Sequence, residues 1–282
     1  MRRYQKVFLF LVAVLVLAIG SGPGRAWGKT SKTGKLLYMT LTKGYHHQST
    51  ELSEQIVKEM GEKTGAFQVT VTQDVGAFTQ ENLKNYSAVM FYTTGELPFT
   101  DEEKSALVDF LKSGHGFIGV HSATDTLYEW GVYNQIIGGY FNNHPWHQLV
   151  TVDVVDPNSK LVSSLGKSFQ ITDEIYQIGD FRADDTHVLL ALDPTSVDLK
   201  KATVRRRYYG WPIAWTRTFG KGRVYYNSLG HEEAVWNDPR YQDMILKAIK
   251  WVMRERTELR LGGNAGEVIK KLCYFAPLAL FS

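Results

Sequence analysis

The residues best able to do chemistry in this chain are its eight histidines, and they are not scattered. His46, His47, His121 and His231 each follow a short apolar run, and His144 and His147 end the string Gly-Gly-Tyr-Phe-Asn-Asn-His-Pro-Trp-His at 138–147. Histidine in such places serves as a metal ligand, a general base or a hydrogen-bonding partner for a sugar hydroxyl. Neutral imidazoles together with carboxylates such as Asp173 and Glu174 suit Zn²⁺ or another divalent ion with an open position. The pair His144 and His147 is spaced i, i+3 across Pro145, in what reads as a loop, and is not the helical spacing of a zinc protease. Spacing alone therefore leaves ligand and acid–base roles both open.

Other candidates fall away on chemical grounds. Ser122 lies in the string Gly-Val-His-Ser-Ala rather than G-x-S-x-G, so it lacks the turn that presents a serine nucleophile. His121 beside it is the better ligand or base. The single cysteine, Cys273, forms no internal disulfide or Cys-rich zinc site and lies far along the chain from the histidines. Aromatic residues accompany the polar segments, among them Tyr45, Trp146 and Tyr176. Their faces suit the apolar faces of sugar rings, although core packing and loop anchoring use the same residues. The run Arg205-Arg206-Arg207 reads as a solvated strand or loop, or as a contact for phosphate or an acidic partner. The expected assignments are His121, Glu174 and Asp173 as catalytic groups. Tyr45, His46, Trp146, Tyr176 and Asp125 are expected to bind substrate, and His121, His147 and His231 to hold a metal. No nucleotide cofactor is expected.

The elements that must position these residues are read from hydrophobic periodicity. Strands are expected at 36–42, 67–73, 87–93 and 116–121. Helices are expected at 50–64, with Ser49 as N-cap and Gly65 as stop, and from the capping box at 100–103 to Lys112. Strand and helix alternating at this spacing predict βαβ units and a parallel sheet covered on both faces. In such a sheet, ligands bind beyond the carboxyl ends of the strands. That rule brings His46, His121 and His231 to one edge, while His147 and Glu174 are expected to reach it from long connections. The second half is richer in strands, at 147–156 and 187–192. A hairpin follows, with arms at 212–218 and 222–227, and a last amphipathic helix runs from Pro239 to about Arg254. The fold class expected is α/β, a mainly parallel central sheet with an added β-hairpin portion.

Composition bounds the function. A chain 44% hydrophobic, 13% aromatic and 22% charged is neither disordered nor collagenous. Arg2, Arg3, Lys6 and Arg25 are the only charges in the first 28 residues, and setting them aside takes the formal charge from +3 to −1. A near-neutral body gives no electrostatic reason to expect nucleic acid as a partner. Residues 1–6 are cationic, 7–19 are apolar, and Ala26 and Gly28 flank Trp27 as at a cleavage site. This is the pattern of an export signal at 1–28, too short in its apolar run for a comfortable membrane span. The protein is therefore expected in the periplasm or outside the cell, with no membrane span once the signal is removed. The apolar stretch at 272–281 within the tail 255–282 reads as a docked segment or a contact between copies, so a homo-oligomer is one expectation.

Taken together, KGYHH at 43–47, GFIGVHSATD at 116–125, GGYFNNHPWH at 138–147, DEIY at 173–176, PIAW from 212 and GKGRVYYNSLGH to 231 resemble the trehalose-utilisation (ThuA-like) family. The resemblance covers residues 35–254. It implies a fold similar to the flavodoxin-like sandwich of class I glutamine amidotransferases. In those enzymes the turn after the strand at 117–120 carries a nucleophilic cysteine; here it carries His121 and Ser122, so no glutaminase is expected. The resemblance further implies a small sugar as partner, a trehalose-like disaccharide or a 3-keto-sugar, and a hydrolase, lyase or isomerase reaction. The alternative is a non-catalytic sugar-binding or interaction module on the same fold.

Overall fold

The computed structural model of the chain describes residues 33–205 and 211–253. The expected export signal, the tail 255–282 and most of the arginine run lie outside the described residues. The elements are β1 (Gly34–Met39), α1 (Thr50–Thr64), β2 (Phe67–Thr72), α2 (Gln80–Leu83), β3 (Ala88–Phe91), α3 (Asp101–Lys112), β4 (Gly116–Val120), α4 (Gly131–Ile137), β5 (Tyr140–Val154), β6 (Ser168–Gly179), β7 (His187–Leu192), β8 (Pro212–Phe219), β9 (Gly222–Asn227), α5 (Glu233–Trp236) and α6 (Pro239–Met253).

The strands join in one sheet of nine, in the order β2-β1-β3-β4-β9-β8-β7-β5-β6. Strands β2, β1, β3, β4 and β9 run parallel. The junctions from β9 through β8, β7 and β5 to β6 are antiparallel. The expectation of a mainly parallel sheet is thus corrected: the parallel part is one half, and the added portion is four strands rather than a hairpin. The physical reason is the connections. Parallel neighbours need a long crossover, usually a helix, and between β5 and β9 the chain supplies none among the described residues.

Alternation along the parallel strands splits the core into two layers. Leu36 and Tyr38 of β1 pack with Ile56, Val57 and Met60 of α1 and with Met244, Ile245 and Ile249 of α6. Leu37 and Met39 face the other way, toward Leu107, Phe110 and Leu111 of α3 and Tyr133, Ile136 and Ile137 of α4. Successive strand residues point to opposite faces, so one apolar run feeds both layers. Helices therefore cover both faces, as their spacing predicts.

Local signals mostly hold. Gly65 ends α1 in the left-handed conformation, its N–H donating to the Gly61 carbonyl at 2.9 Å. Thr100 and Glu103 form the reciprocal capping box of α3. Ser49 stands at the start of α1 but makes no side-chain cap. Its hydroxyl instead donates to the carbonyls of Gly230 and His231 and meets the Tyr92 hydroxyl at 2.8 Å. Two further expectations are corrected. The His144–His147 string is part of β5, not a loop, and Asp173 and Glu174 lie within β6, not on a long connection. Pro145 is accommodated because the β5–β6 register shifts between Asn143 and Trp146, and a bulge is where a strand tolerates proline.

Candidate functional site

The three parallel strands β1, β4 and β9 each deliver a histidine past their carboxyl ends. After β4 the chain turns sharply: Val120 is extended, and His121 takes φ 43, a left-handed conformation rare for a residue with a side chain. It is held there from two sides. The His121 carbonyl accepts from the Tyr226 hydroxyl at 2.6 Å, and its Nδ1 donates to the Ser228 carbonyl at 2.7 Å. That bond puts the ring proton on Nδ1 and leaves Nε2 with a lone pair. Nε2 accepts from the Tyr176 hydroxyl at 3.0 Å and lies 3.3 Å from His231 Nδ1 and 3.6 Å from Glu174 Oε2. His231 Nδ1 is itself 3.3 Å from Glu174 Oε2. The buried ring of His47 closes the group, edge-on to His121 at 4.7 Å and to His231 at 5.1 Å between centroids.

His47, His121, Glu174 and His231 each offer one donor atom, and the four atoms lie within 4.8 Å of one another. Ligand bonds of about 2.0–2.2 Å in a tetrahedron set donor atoms roughly 3.3–3.6 Å apart. The triangle His121–His231–Glu174, with sides of 3.3, 3.3 and 3.6 Å, has those dimensions. Three imidazoles and one carboxylate are a donor set suited to zinc or a similar ion, with the Ser228 carbonyl as an outer orienting group.

Electrostatics divides the cluster. Burial, then the nearby His121 and His231, lowers the His47 pKa to about 2, so this ring stays neutral. Burial alone would raise the Glu174 carboxyl, but the adjoining His121 and His231 imidazoles outweigh it and hold the group well below the usual carboxylate range. The Glu174 bond raises His231 in turn, against burial. Burial raises Asp173 and Asp125.

A more exposed rim surrounds the buried four. His144 Nδ1 lies 3.0 Å from Glu174 Oε1, the oxygen turned away from the cluster. His147 Nε2 meets Glu232 Oε1 at 2.6 Å. Tyr45, 61% exposed, stands edge-on to His47 and nearly parallel to His231, with planes 12° apart. Asp125 accepts from the Tyr128 hydroxyl at 2.6 Å. Asp173 is fully buried, and its two oxygens accept from the backbone N–H groups of Gly230 at 2.7 Å and Glu232 at 3.1 Å.

Most of the expected residues meet here, with changes of place. His121, Glu174, His231 and Tyr176 are in the cluster; Tyr45 and His147 stand at its rim, and Asp125 lies near its charges. His46 does not join them. It is exposed and pairs with Glu51 at 3.2 Å, because the crest loop turns its neighbour His47 inward instead. Trp146 is fully buried in the core, donates to the Asp198 carbonyl and packs against Trp211, so no surface remains for a substrate. Asp173 is fully buried with both oxygens engaged by backbone N–H groups, and it holds the loop that carries His231. Sequence reasoning names His47 and His144 among the candidate histidines but assigns neither of them, nor Glu232, a role. The string His46-His47 shows two adjacent candidates and nothing to choose between them; Glu232 follows His231 directly, which was the available signal. Surface concavities of about 710 and 430 Å³ lie elsewhere, lined by residues such as Lys58 and Gln68 or Gln80 and Asp109.

Residues 35–252 match the family model ThuA, described as trehalose utilisation. A ThuA-like protein from Bacteroides uniformis is similar in structure at a TM-score of 0.67 and 24% identity, over 79% of this chain and 93% of that one. A ThuA-like protein from Parabacteroides merdae gives 0.63 and 17%, over 79% and 91%. A cytoplasmic protein from Salmonella typhimurium gives 0.52 and 12%, over 77% and 98%. Likeness at these identities concerns the fold. No curated protein matches the chain.

Proposed function

Because the chain belongs to the trehalose-utilisation (ThuA) family, we propose that it acts on a small sugar, a trehalose-like disaccharide or a 3-keto-sugar, at the His47–His121–Glu174–His231 cluster. The observation that carries this reading is the donor triangle of 3.3, 3.3 and 3.6 Å. A divalent ion held by these atoms would polarise a substrate oxygen or lower the pKa of a bound water.

The chain's own residues supply the rest. His121 offers Nε2 because Ser228 fixes its tautomer, and His47 is neutral at any physiological pH. Glu174 supplies the one negative charge through Oε2 and orients His144 through Oε1. His144, half-exposed at the rim with Nδ1 on Glu174, is placed to hold or pass a proton. Asp125 and the Tyr128 hydroxyl beside it suit sugar hydroxyls, and the exposed Tyr45 offers an apolar face to a sugar ring.

The test is turnover of trehalose and of its 3-keto derivative by zinc-loaded protein, followed by mass spectrometry. We expect product from one of them, lost in His121→Ala and in metal-free protein. Sugar binding without turnover would favour the non-catalytic module; neither binding nor turnover would contradict the sugar reading altogether. We also propose that residues 1–28 direct export. A secreted or periplasmic protein that still begins at Met1 would overturn that.

A further inference from the structure

His231 faces two ways. Its Nδ1 belongs to the buried cluster, 3.3 Å from both His121 Nε2 and Glu174 Oε2. Its Nε2, across the ring, lies 4.0 Å from Glu232 Oε1. That same oxygen accepts from His147 Nε2 at 2.6 Å, and the His147 and His231 rings meet edge to face at 5.1 Å. His147, His231 and Glu232 thus offer three donor atoms within 4.8 Å of one another. This group is the more open one: the side chains of His147 and Glu232 are 48% and 37% exposed.

We propose that His147, Glu232 and His231 form a second divalent-metal site, joined to the buried one through the His231 ring. The proposal rests on the buried cluster binding an ion. A hydrogen-bonded His147–Glu232 pair would need no third member. The His231 nitrogen turned to the same oxygen at 4.0 Å is too far for a hydrogen bond. Two ligands of one tetrahedral ion stand about 3.3–3.6 Å apart, so an ion here would draw His231 Nε2 in from 4.0 Å and part the His147–Glu232 pair from 2.6 Å, both small side-chain movements. Two imidazoles and one carboxylate favour zinc, copper, nickel or cobalt over magnesium or calcium. Three protein ligands beside solvent leave a position for water, the pattern of an open site rather than a closed structural one. Loading both nitrogens displaces the ring proton of His231 to solvent.

The geometry separates this pair from enzymes whose two ions share one water. Ions on opposite nitrogens of one imidazole stand roughly 6 Å apart, given ligand bonds of about 2 Å. Ions that clamp a shared oxygen stand about 3.5–4 Å apart. An outer ion would therefore carry its own water on the exposed side of His147 and Glu232, while an inner ion would be shielded.

The test is titration of the metal-free full chain with Zn²⁺, by calorimetry and by metal analysis after gel filtration. Two zinc ions per chain are expected, one tight and one weaker. His147→Ala and the milder Glu232→Gln should each weaken the second step by about tenfold or more and spare the first. Circular dichroism of each variant checks that it folds. Copper-loaded protein adds a second readout: magnetic coupling between two Cu²⁺ ions in the parent, lost in Glu232→Gln. One zinc per chain, unchanged in both variants, overturns the second site and leaves the buried one standing. No zinc at all overturns both.

Discussion

Asp173 and Glu174 are neighbours in sequence with different work. Glu174 turns both oxygens to histidines, whereas Asp173 spends both on backbone N–H groups of the loop that presents His231. Asp173→Asn leaves one of those donors facing an amide N–H₂. We expect zinc affinity to fall about 10–100-fold, as for other groups that orient ligands, with stability lower by about 1–3 kcal/mol; calorimetry and urea melts measure the two. His47 carries a pH signature. Its folded pKa, about 2, lies below its ordinary 6.5, so the unfolded chain takes up the proton first. Its contribution is full above about pH 6.5 and is lost as pH falls toward the folded value, at about 1.4 kcal/mol per pH unit. His231 runs the other way: its value is raised, so its contribution is full below 6.5 and fades as pH rises through the raised value. Melting of metal-free protein at a series of pH values should show the acid slope, and His47→Gln should flatten it. An unchanged slope would mean that His47 is not buried neutral.

The element that matters most to the site is the short loop between β9 and α5. Gly230 there has φ +123, and an added Cβ would meet the Tyr241 hydroxyl at 2.8 Å. Its carbonyl accepts from Ser49, Tyr92 and Trp236, and its N–H donates to Asp173. Gly230→Ala should therefore destabilise by about 1–3 kcal/mol and weaken zinc binding through displaced His231. Normal affinity in that variant would show that the loop does not set the ligand position. The sequence made much of this level legible. Gly65, the Thr100 capping box and the apolar rhythm of α6 are local signals, and a local signal survives folding. Ser49 misled because its hydroxyl found buried carbonyls 181 and 182 residues away, a choice no local pattern records. The start of β5 was hidden by Pro145, which ordinarily ends a strand but here lies at a bulge. The choice between His46 and His47 was hidden too, because it depends on which way the crest loop rolls.

Across the whole molecule, the site draws on both halves of the sheet. The parallel half collects His47, His121 and His231 at one edge, as strand direction requires. The antiparallel half adds Glu174 from β6 and His144 and His147 from β5, with Glu174 and His147 paired in register across the two strands. Order along the chain foretold the first contribution. The second needed the pairing of distant strands, which short periodic patterns do not encode. A ligand that joins both halves should stabilise the entire unit. Removing metal with a chelator should lower the melting temperature, and restoring zinc at about 100 times its Kd should return about 2.7 kcal/mol; Glu174→Gln should lose most of that difference. The most direct measurement is anomalous X-ray scattering at the zinc edge from crystals of the full chain grown with Zn²⁺. The account predicts a peak about 2 Å from His121 Nε2, His231 Nδ1 and Glu174 Oε2, with His47 as the fourth ligand. Zinc bound only at other positions, with no peak inside that triangle, would contradict it.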